Sequence, residues 1–401
     1  MSRERPFLPY GRQRIAREDV EAVVAVLESD FLTTGPAVTA FERAFAAAVG
    51  APFAVSCSSG TAALHLALAA LDIPAGAVCL VPALTFAATA NVVRHCGGRV
   101  VLTDVDPHTG LMRPEDLEAA IARAGGGRIA AVLPVHYAGQ PVPLAEIREM
   151  AMKRGAAVIE DACHALGTRF RDGSGEAVVG DGSRADLACF SFHPVKTIAC
   201  GEGGMVTTAD RSLAERIRRL RNHGIERDPA RFVAPDAGRD PGPWYYEVQE
   251  PGFNYRLSDI HAALGCSQLR RLDRFVAERR RLVEVYDRLL GPLAPAVRPI
   301  GRVPEARPGW HLYVVQVAFE RTGTDRATVM RRLRDRGIGT QVHYIPLHFH
   351  PLLRAGNPDL RLPGAEAFYA RCLSLPLFVG MTEDDVERVV RDLAAALGIR
   401  G

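Results

Sequence analysis

The sequence is poor in lysine. Lysine and arginine together account for 49 of its 401 residues, yet only Lys153 and Lys196 are lysines, which leaves 49 − 2 = 47 arginines. Because arginine supplies almost all of the positive charge, a lysine indicates a position where an amine has a chemical use. An amine can lose its proton and attack a carbonyl carbon, which a guanidinium cannot do. Lys153 lies at the polar end of a predicted helix, so Lys196 is the candidate nucleophile.

Other absences exclude whole classes of protein. The eight cysteines form no C-x-x-C pair, so neither a zinc knuckle nor a disulfide framework is predicted. Neither a Walker loop nor a G-x-G-x-x-G turn occurs. The most apolar stretch, residues 77–93, contains proline, threonine and asparagine and falls short of a membrane span, and the first residues lack the apolar run of a signal peptide. We therefore expect a cytoplasmic protein with no membrane partner.

The charge balance argues against a nucleic-acid binder. The 49 basic residues face 46 acidic ones, which gives a formal net charge of +3. The arginine clusters RIRRLR, ERRRL and RRLRDR alternate with apolar residues at helical spacing and lie near acidic residues. We interpret them as solvated faces of amphipathic helices, so no nucleic-acid partner is expected.

Seven short apolar runs predict one large α/β sheet. Most of them are followed by a helical pattern, which is typical of a mostly parallel sheet with crossover helices. A segment rich in proline and glycine, residues 228–244, then predicts a loop or lid. Longer helical patterns and a strand at 310–319 follow, so we expect a large α/β domain over 13–250 and a small α+β domain over 251–401 that includes 1–12. The predicted strands are 53–57, 77–82, 99–105, 128–135, 156–162, 187–192 and 203–208.

Two turns of this predicted sheet are suited to an anion and to a positively charged ring. In SSGTAAL (58–64), Gly60 allows a close backbone approach, Thr61 adds a hydroxyl, and the free amides of a helix start favour an anion. In VIEDACHALGT (158–168), Asp161 ends a strand at the edge where ligands of α/β sheets bind. A carboxylate there can hold a pyridine nitrogen protonated.

Two further positions complete the set. Lys196 follows the strand 187–192, and Ser191 precedes it by five residues, where its hydroxyl can add to an anion site. Phe86, in TFAATA (85–90), follows another strand end and can lie flat on an aromatic ring. Each feature alone also has a structural explanation, as a helix cap, a surface acid, a surface loop or a core side chain. Together they describe a pyridoxal 5'-phosphate site.

One histidine pattern invites a metal interpretation. His343, His348 and His350 are spaced H-x₄-H-x-H, but no cysteine or acid completes a coordination shell. We favour a polar substrate pocket or plain surface, and no metal is expected.

With these motifs in place, the chain resembles the DegT/DnrJ/EryC1/StrS family of sugar-nucleotide aminotransferases over nearly its whole length. The resemblance implies a fold type I transferase, pyridoxal 5'-phosphate, and a homodimer with shared active sites. Some family members carry histidine at the cofactor lysine and act as dehydratases, so Lys196 favours transamination. The motifs that carry the resemblance are SSGTAAL, TFAATAN, VIEDACHALG, FSFHPVK followed by GEGGMV, GFNYRLSDIHAALGCSQL and GIGTQVHYIPLH.

The resemblance also implies a role for each site residue. The expected reaction moves the amino group of L-glutamate to carbon 4 of a UDP-linked 2-acetamido-4-keto-6-deoxyhexose. A dTDP- or GDP-linked ketosugar, or a regulatory protein that keeps the fold without turnover, remains an alternative. The implied roles are covalent cofactor binding and proton transfer for Lys196, the pyridinium contact for Asp161, stacking for Phe86, phosphate contacts for Gly60, Thr61 and Ser191, the ring hydroxyl for His164, a phosphate contact from the other subunit for Asn254, and substrate contacts for His193, His343 and Tyr344.

Overall fold

The structure is a computed structural model that describes residues 6–234 and 242–399. Among these described residues, no helix combines the length and the apolar content needed to cross a membrane. Within the same ranges the α-helices are α1 (Arg17–Leu27), α2 (Pro36–Val49), α3 (Gly60–Ala70), α4 (Ala87–His95), α5 (Pro114–Arg123), α6 (Leu144–Met152), α7 (Arg211–Leu220), α8 (Asp259–Leu269), α9 (Leu272–Leu290), α10 (Phe319–Thr322), α11 (Arg326–Asp335), α12 (Pro351–Arg354), α13 (Pro363–Arg371) and α14 (Glu383–Leu397).

The strands form one large sheet and three small ones. The seven-stranded sheet has the order β1-β9-β8-β5-β4-β2-β3, and the small sheets have the orders β12-β14-β15, β13-β6-β7 and β10-β11. Over the described ranges the strands are β1 (Phe53–Cys57), β2 (Val78–Pro82), β3 (Arg99–Thr103), β4 (Ile129–Val132), β5 (Ala157–Asp161), β6 (Arg169–Asp172), β7 (Gly175–Val178), β8 (Leu187–Ser191), β9 (Gly204–Thr208), β10 (Ile225–Glu226), β11 (Glu247–Val248), β12 (Val297–Pro299), β13 (Ala306–Arg307), β14 (Tyr313–Val317) and β15 (Cys372–Leu375).

The large sheet confirms the predicted α/β fold, because its seven strands lie within the seven predicted runs. Strands β3, β2, β4, β5 and β8 are parallel to one another, whereas β9 is antiparallel to both β8 and β1. No helix separates β8 from β9, so the chain returns directly and the two strands must run in opposite directions. The sheet is therefore mostly parallel with one reversed strand.

Helix α3 lies against the middle of this sheet and begins at the candidate active site described below. It packs on β8 and β9, and its sequence GTAALHLALAA is apolar on nearly all sides, as expected of a buried helix. Other helices carry one apolar stripe. In α7, Ile217 and Leu220 are buried. The arginines of RIRRLR are half-buried and not solvated as predicted, because they pair with acids of neighbouring segments, Arg216 with Glu250 at 2.8 Å and Arg221 with Glu42.

The small sheet β12-β14-β15 organises the last third of the chain. Helices α9 and α14 pack against each other beside it, and the N-terminal segment joins this region, where Leu8 forms a parallel bridge to Ile338. The long helical pattern after residue 257 is two helices, α8 and α9. The predicted loop over 228–244 lies partly outside the described residues, at 235–241, and its described ends continue from the short β10-β11 ribbon.

Candidate active site

A cavity of about 620 Å³ lies where β1, β5 and β8 end. Residues of the last third of the chain and Tyr10 close it from the other side. Ten of the eleven residues proposed from the sequence line this cavity, and Asn254 does not. The ten are Gly60, Thr61, Phe86, Asp161, His164, Ser191, His193, Lys196, His343 and Tyr344.

The turn before α3 forms a tight cradle with the end of β8. Ser59 caps the helix, since its hydroxyl accepts a hydrogen bond from the Ala62 amide at 3.1 Å. A Cβ atom at Gly60 would lie 2.6 Å from the Cβ of Ser191, so only glycine allows this approach. The first amides of a helix have no partner within it. The Ser191 hydroxyl and these amides thus face one small space that suits a phosphate group.

Asp161 is a buried carboxylate at the end of β5, with an exposed fraction of 5 %. Its carboxylate accepts hydrogen bonds from the Thr89 hydroxyl at 2.8 Å and from the Cys163 amide at 3.2 Å. The preceding acid, Glu160, points to the other face of the strand and contacts His136 Nε2 at 2.8 Å. Only one of the two acids in this motif is therefore available to a ligand in the cavity.

Lys196 lies on a turn between β8 and β9. Its backbone amide donates to the carbonyl of His193 at 2.8 Å, and the base of the segment is held by Phe192, whose amide donates to Gly203 and whose carbonyl accepts from Cys200. Burial lowers the pKa of the Lys196 amine, and the nearby Cys163 and Asp161 partly offset this effect. A lowered pKa makes the neutral, nucleophilic form more accessible near neutral pH.

Three histidines surround this amine, and all are buried. Burial lowers the pKa of His164 and of His311 well below the ordinary value, and that of His343 to about 3, with Lys196 adding to each shift. These rings are therefore neutral at pH 7 and can donate or accept hydrogen bonds without adding charge. His164 Nε2 lies 3.0 Å from the hydroxyl of Tyr344, and His343 Nδ1 lies 2.8 Å from the hydroxyl of Ser374.

The mouth of the cavity is more polar and more open than the region around the Lys196 amine. Phe86 is 60 % exposed, with its ring centroid 6.2 Å from that of Tyr344. His193 is exposed as well. An exposed aromatic face at a cavity is available for stacking on a planar ligand. Further polar residues at this mouth are Glu202, Gln341 and His350.

The H-x₄-H-x-H histidines do not come together. His343 and His350 line the cavity, whereas His348 contacts Glu366 at 3.2 Å. Among residues 6–234 and 242–399, no three His, Cys, Asp or Glu side chains are grouped closely enough to hold a metal ion.

Asn254 does not line this cavity and is exposed. It forms an isolated antiparallel bridge with Asn222. The structure of the single chain therefore leaves its side chain at the surface.

Four residues that the fold brings to the site are not predicted by the sequence motifs. His311 and Tyr10 line the cavity, as does Gln341, and Thr89 binds Asp161 from below. His311 precedes β14 and Tyr10 lies in the N-terminal segment, far from the βα turns in sequence. The only sequence signal was a polar residue beside an apolar strand in WHLYVV.

These side chains fit pyridoxal 5'-phosphate. The cradle at Gly60 is too tight for a side chain and rich in donors, the buried carboxylate of Asp161 suits a protonated ring nitrogen, and the Lys196 amine can form a covalent bond with an aldehyde. The neutral histidines leave the cavity without a further fixed positive charge. Such a site can transfer an amino group and move protons at carbon.

Comparisons with known proteins agree with this chemistry. Residues 13–394 match the model of the DegT/DnrJ/EryC1/StrS aminotransferase family. The chain is 39% identical over 387 residues, 96% of this chain and 95% of the relative, to the spore coat polysaccharide biosynthesis protein SpsC of Bacillus subtilis (strain 168).

Solved structures are also similar. Helicobacter pylori PseC, an aminotransferase involved in the biosynthesis of pseudaminic acid, superposes with a TM-score of 0.87 at 27% identity, covering 98% of this chain and 99% of that one. The PLP-form of the sugar aminotransferase Spr1654 from Streptococcus pneumoniae superposes with a TM-score of 0.84 at 25% identity, with the same coverage of 98% and 99%.

Proposed function

Because the chain belongs to the DegT/DnrJ/EryC1/StrS aminotransferase family and is a pyridoxal 5'-phosphate-dependent sugar aminotransferase, we propose that it aminates carbon 4 of a UDP-linked 2-acetamido-4-keto-6-deoxyhexose with L-glutamate as the donor. The product would be UDP-4-amino-4,6-dideoxy-N-acetyl-β-L-altrosamine, on the route to pseudaminic acid. The similarity to Helicobacter pylori PseC carries this choice of sugar. The motifs DACHALG, SFHPVK and GIGTQVHYIPLHFHP support it.

Some residues of the chain would bind the cofactor, others would bind the substrate, and Lys196 would transfer protons. When bound, the cofactor supplies an aldehyde that accepts the amino group and a ring that withdraws electrons. Lys196 removes the proton from the α-carbon of glutamate and later delivers a proton to carbon 4 of the sugar. A single base serves both directions because burial brings its pKa closer to neutrality.

The cofactor itself is held by groups already close to one another. Asp161 would contact the ring nitrogen, Phe86 would stack on the ring, and His164 would lie near the ring hydroxyl. Gly60, Thr61 and Ser191 line the cradle that suits its phosphate.

Substrate recognition is assigned to polar residues that line the cavity. His343 binds Ser374 through Nδ1, and its other ring nitrogen has no partner among the described residues, so that nitrogen is available to a sugar oxygen. His193 and Tyr344 line the same cavity. Hydroxyl, acetamido and phosphate oxygens suit this lining better than apolar groups do.

A panel of nucleotide ketosugars tests the substrate. We expect the UDP-linked 2-acetamido-4-keto-6-deoxy-L-arabino-hexose to react far faster than dTDP-4-keto-6-deoxyglucose, with products identified by mass spectrometry and NMR. Losing one buried hydrogen-bonding partner costs about 1–3 kcal/mol, roughly ten- to a hundredfold in kcat/KM. His343→Ala should lower kcat/KM for the ketosugar by that factor and leave the glutamate half-reaction nearly unchanged. His348→Gln, in the same segment but bonded to Glu366, serves as the control.

The name of one relative points to a polysaccharide and not to pseudaminic acid. The relative with 39% identity is named for spore coat polysaccharide biosynthesis, which leaves a dTDP- or GDP-linked 4-ketosugar as the second candidate. Equal or faster amination of such a nucleotide sugar in the panel would select it.

We also propose that the active form is a homodimer with shared sites, in which Asn254 of the partner subunit reaches the phosphate cradle. Helix α1 and the residues after it present an exposed apolar face, namely Val20, Val24, Leu27, Phe31 and Leu32. This face adjoins the segment that carries Asn254, because the Asp259 amide donates to the Leu32 carbonyl at 3.0 Å and Thr33 bridges to Ser258. An exposed apolar patch beside a functional residue is typical of an interface.

Complementation between inactive variants tests this arrangement. Mixed Asn254→Ala and Lys196→Ala chains should form hybrid dimers in which one of the two sites has both wild-type residues, so activity should partly return. Absence of recovery, with subunit exchange demonstrated by mass spectrometry, contradicts a shared site.

The proposal includes the cytoplasmic location expected from the sequence, which cell fractionation would test.

A further inference from the structure

His311 contacts the reactive amine through a contact that the cofactor chemistry above does not use. Its Nε2 lies 3.5 Å from Lys196 Nζ. The ring is 4 % exposed, and its Nδ1 atom has no hydrogen-bond partner in the part of the chain that the structure describes. Hydrogen bonds of catalytic groups are often long before a ligand binds. Lys196 is thus the polar group that the His311 ring contacts.

The backbone around His311 is fixed by a buried arginine. Arg279, on α9, is 1 % exposed, and its Nη1 donates to the carbonyls of Trp310 at 3.4 Å, His311 at 3.2 Å and Leu377 at 3.0 Å. The His311 amide also donates to the carbonyl of Ala138 at 3.0 Å. Burying a guanidinium without a carboxylate is costly, and burial lowers its pKa to about 10. Its three hydrogen bonds tie the backbone at Trp310 and His311 to the segment at Leu377.

The titratable groups that face this contact keep the imidazole neutral. Lys196, His164, Arg279 and His343 all disfavour a positive charge on His311, in addition to burial. On the other side of the amine, Asp161 and Cys163 favour the charged form of Lys196. A neutral ring beside a partly charged amine can accept a hydrogen bond from it without electrostatic conflict.

We propose that His311 is a positioning residue for Lys196, which accepts a hydrogen bond from the lysine amine whenever that amine is free, and that Arg279 fixes the imidazole for this purpose. The amine would leave its covalent bond to the cofactor in the first half-reaction and regain it at the end of the second, and a fixed acceptor keeps it close to the reacting carbon atoms while it is free. The proposal rests on the family's aminotransferase activity and not on the choice of sugar.

The two-lysine composition makes a direct test possible. Trace amounts of isotopically labelled acetic anhydride react with neutral amines, and peptide mass spectrometry of the full-length, cofactor-free protein separates Lys196 from Lys153. The pH midpoint of labelling gives the pKa of each amine. Lys153 is exposed and bonded to Glu149 at 2.6 Å, so it is an internal standard that variants at position 311 should leave unchanged.

His311→Phe removes the acceptor and keeps the amine buried. The ammonium form then loses a stabilising partner, so the labelling midpoint of Lys196 should fall by at least about one pH unit. His311→Gln, whose amide oxygen can replace Nε2 as acceptor, should stay within about half a pH unit of the wild type. An unchanged or raised midpoint in His311→Phe, or an equally large fall in both variants, overturns the proposal.

Two further measurements separate positioning from a purely structural role. Thermal unfolding of both variants shows whether they are folded, and cofactor affinity should be nearly unchanged because the phosphate cradle is untouched. In stopped flow, the single-turnover rate constant with glutamate should drop at least about tenfold in His311→Phe, with the donor concentration for half-saturation unchanged, and should recover in His311→Gln. If His311→Phe changes only the half-saturation concentration and leaves the rate constant unchanged, the proposal is overturned.

Discussion

Acidification should weaken the folded protein through His343. The ring is 7 % exposed, contacts Ser374 at 2.8 Å, and has a pKa lowered to about 3 by burial and by the nearby Lys196. The unfolded chain takes up this proton near pH 6.5 and the folded chain does so only near pH 3. The contribution to stability is therefore complete above about pH 6.5 and is lost progressively as the pH falls toward 3.

The loss is large enough to measure. Between pH 6.5 and pH 5 the residue is protonated in the unfolded chain but not in the folded one. Each of these 1.5 pH units lowers the free energy of unfolding by about 1.36 kcal/mol, so this residue alone lowers it by about 2 kcal/mol. His343→Asn can still bond Ser374 but cannot take up a proton. Urea unfolding at pH 7.5 and pH 5 should show the wild type losing about 2 kcal/mol more than this variant.

His164 and His311 titrate in both proteins, as does the Lys196 amine, so subtracting one protein from the other isolates position 343. If the wild type and His343→Asn lose the same free energy of unfolding between the two pH values, the buried neutral state of this ring is refuted.

Three other predictions follow from the site. Lys196→Ala should abolish the visible absorbance of the lysine-bound cofactor while Lys153→Ala keeps it, and a bound chromophore in the first variant would disprove the assignment. Asp161→Asn should bind the cofactor and still accept from Thr89, but turnover should fall at least about a hundredfold because an amide does not stabilise a protonated ring nitrogen; near-normal turnover would remove Asp161 from the mechanism. Gly60→Ala should weaken cofactor binding about ten- to a hundredfold, since its Cβ would crowd Ser191 at 2.6 Å. Gly291→Ala, where nothing lies within 4 Å of the added atom, should bind as the wild type does.

The large sheet was predictable because its strands are short, apolar and separated by helical patterns. Burial on both faces gives a strand such as β2 a continuous apolar run, VCLVP, that periodicity detects. Strand order was not predictable, since the neighbours β1 and β9 are about 150 residues apart and their pairing leaves no local signal. Of the small sheets, only β14 was predicted, within the strand at 310–319. Strands such as β13 contain two residues and give no pattern.

Within the site, the sequence identified groups with distinctive chemistry at strand ends. Lys196 and Asp161 are recognisable because an amine and a buried acid are costly outside a function. His311 could not be found, because a histidine before an apolar strand is usually ordinary and its contact with Lys196 arises only when β14 is folded against the large sheet. Arg279 was one of the arginines of ERRRL and was interpreted as solvated, but the structure places it in the core.

The turn that carries Lys196 owes its shape to its backbone and not to the lysine. Ser191 and Gly204 pair across β8 and β9, and the bonds at Phe192 close the segment above them. A different side chain at position 196 would thus occupy the same point in space above the same phosphate cradle. The family resemblance implies that members with histidine at this position act as dehydratases, and such a change of reaction would need no new scaffold. A laboratory library confined to position 196 would exchange one catalytic group on an unchanged backbone.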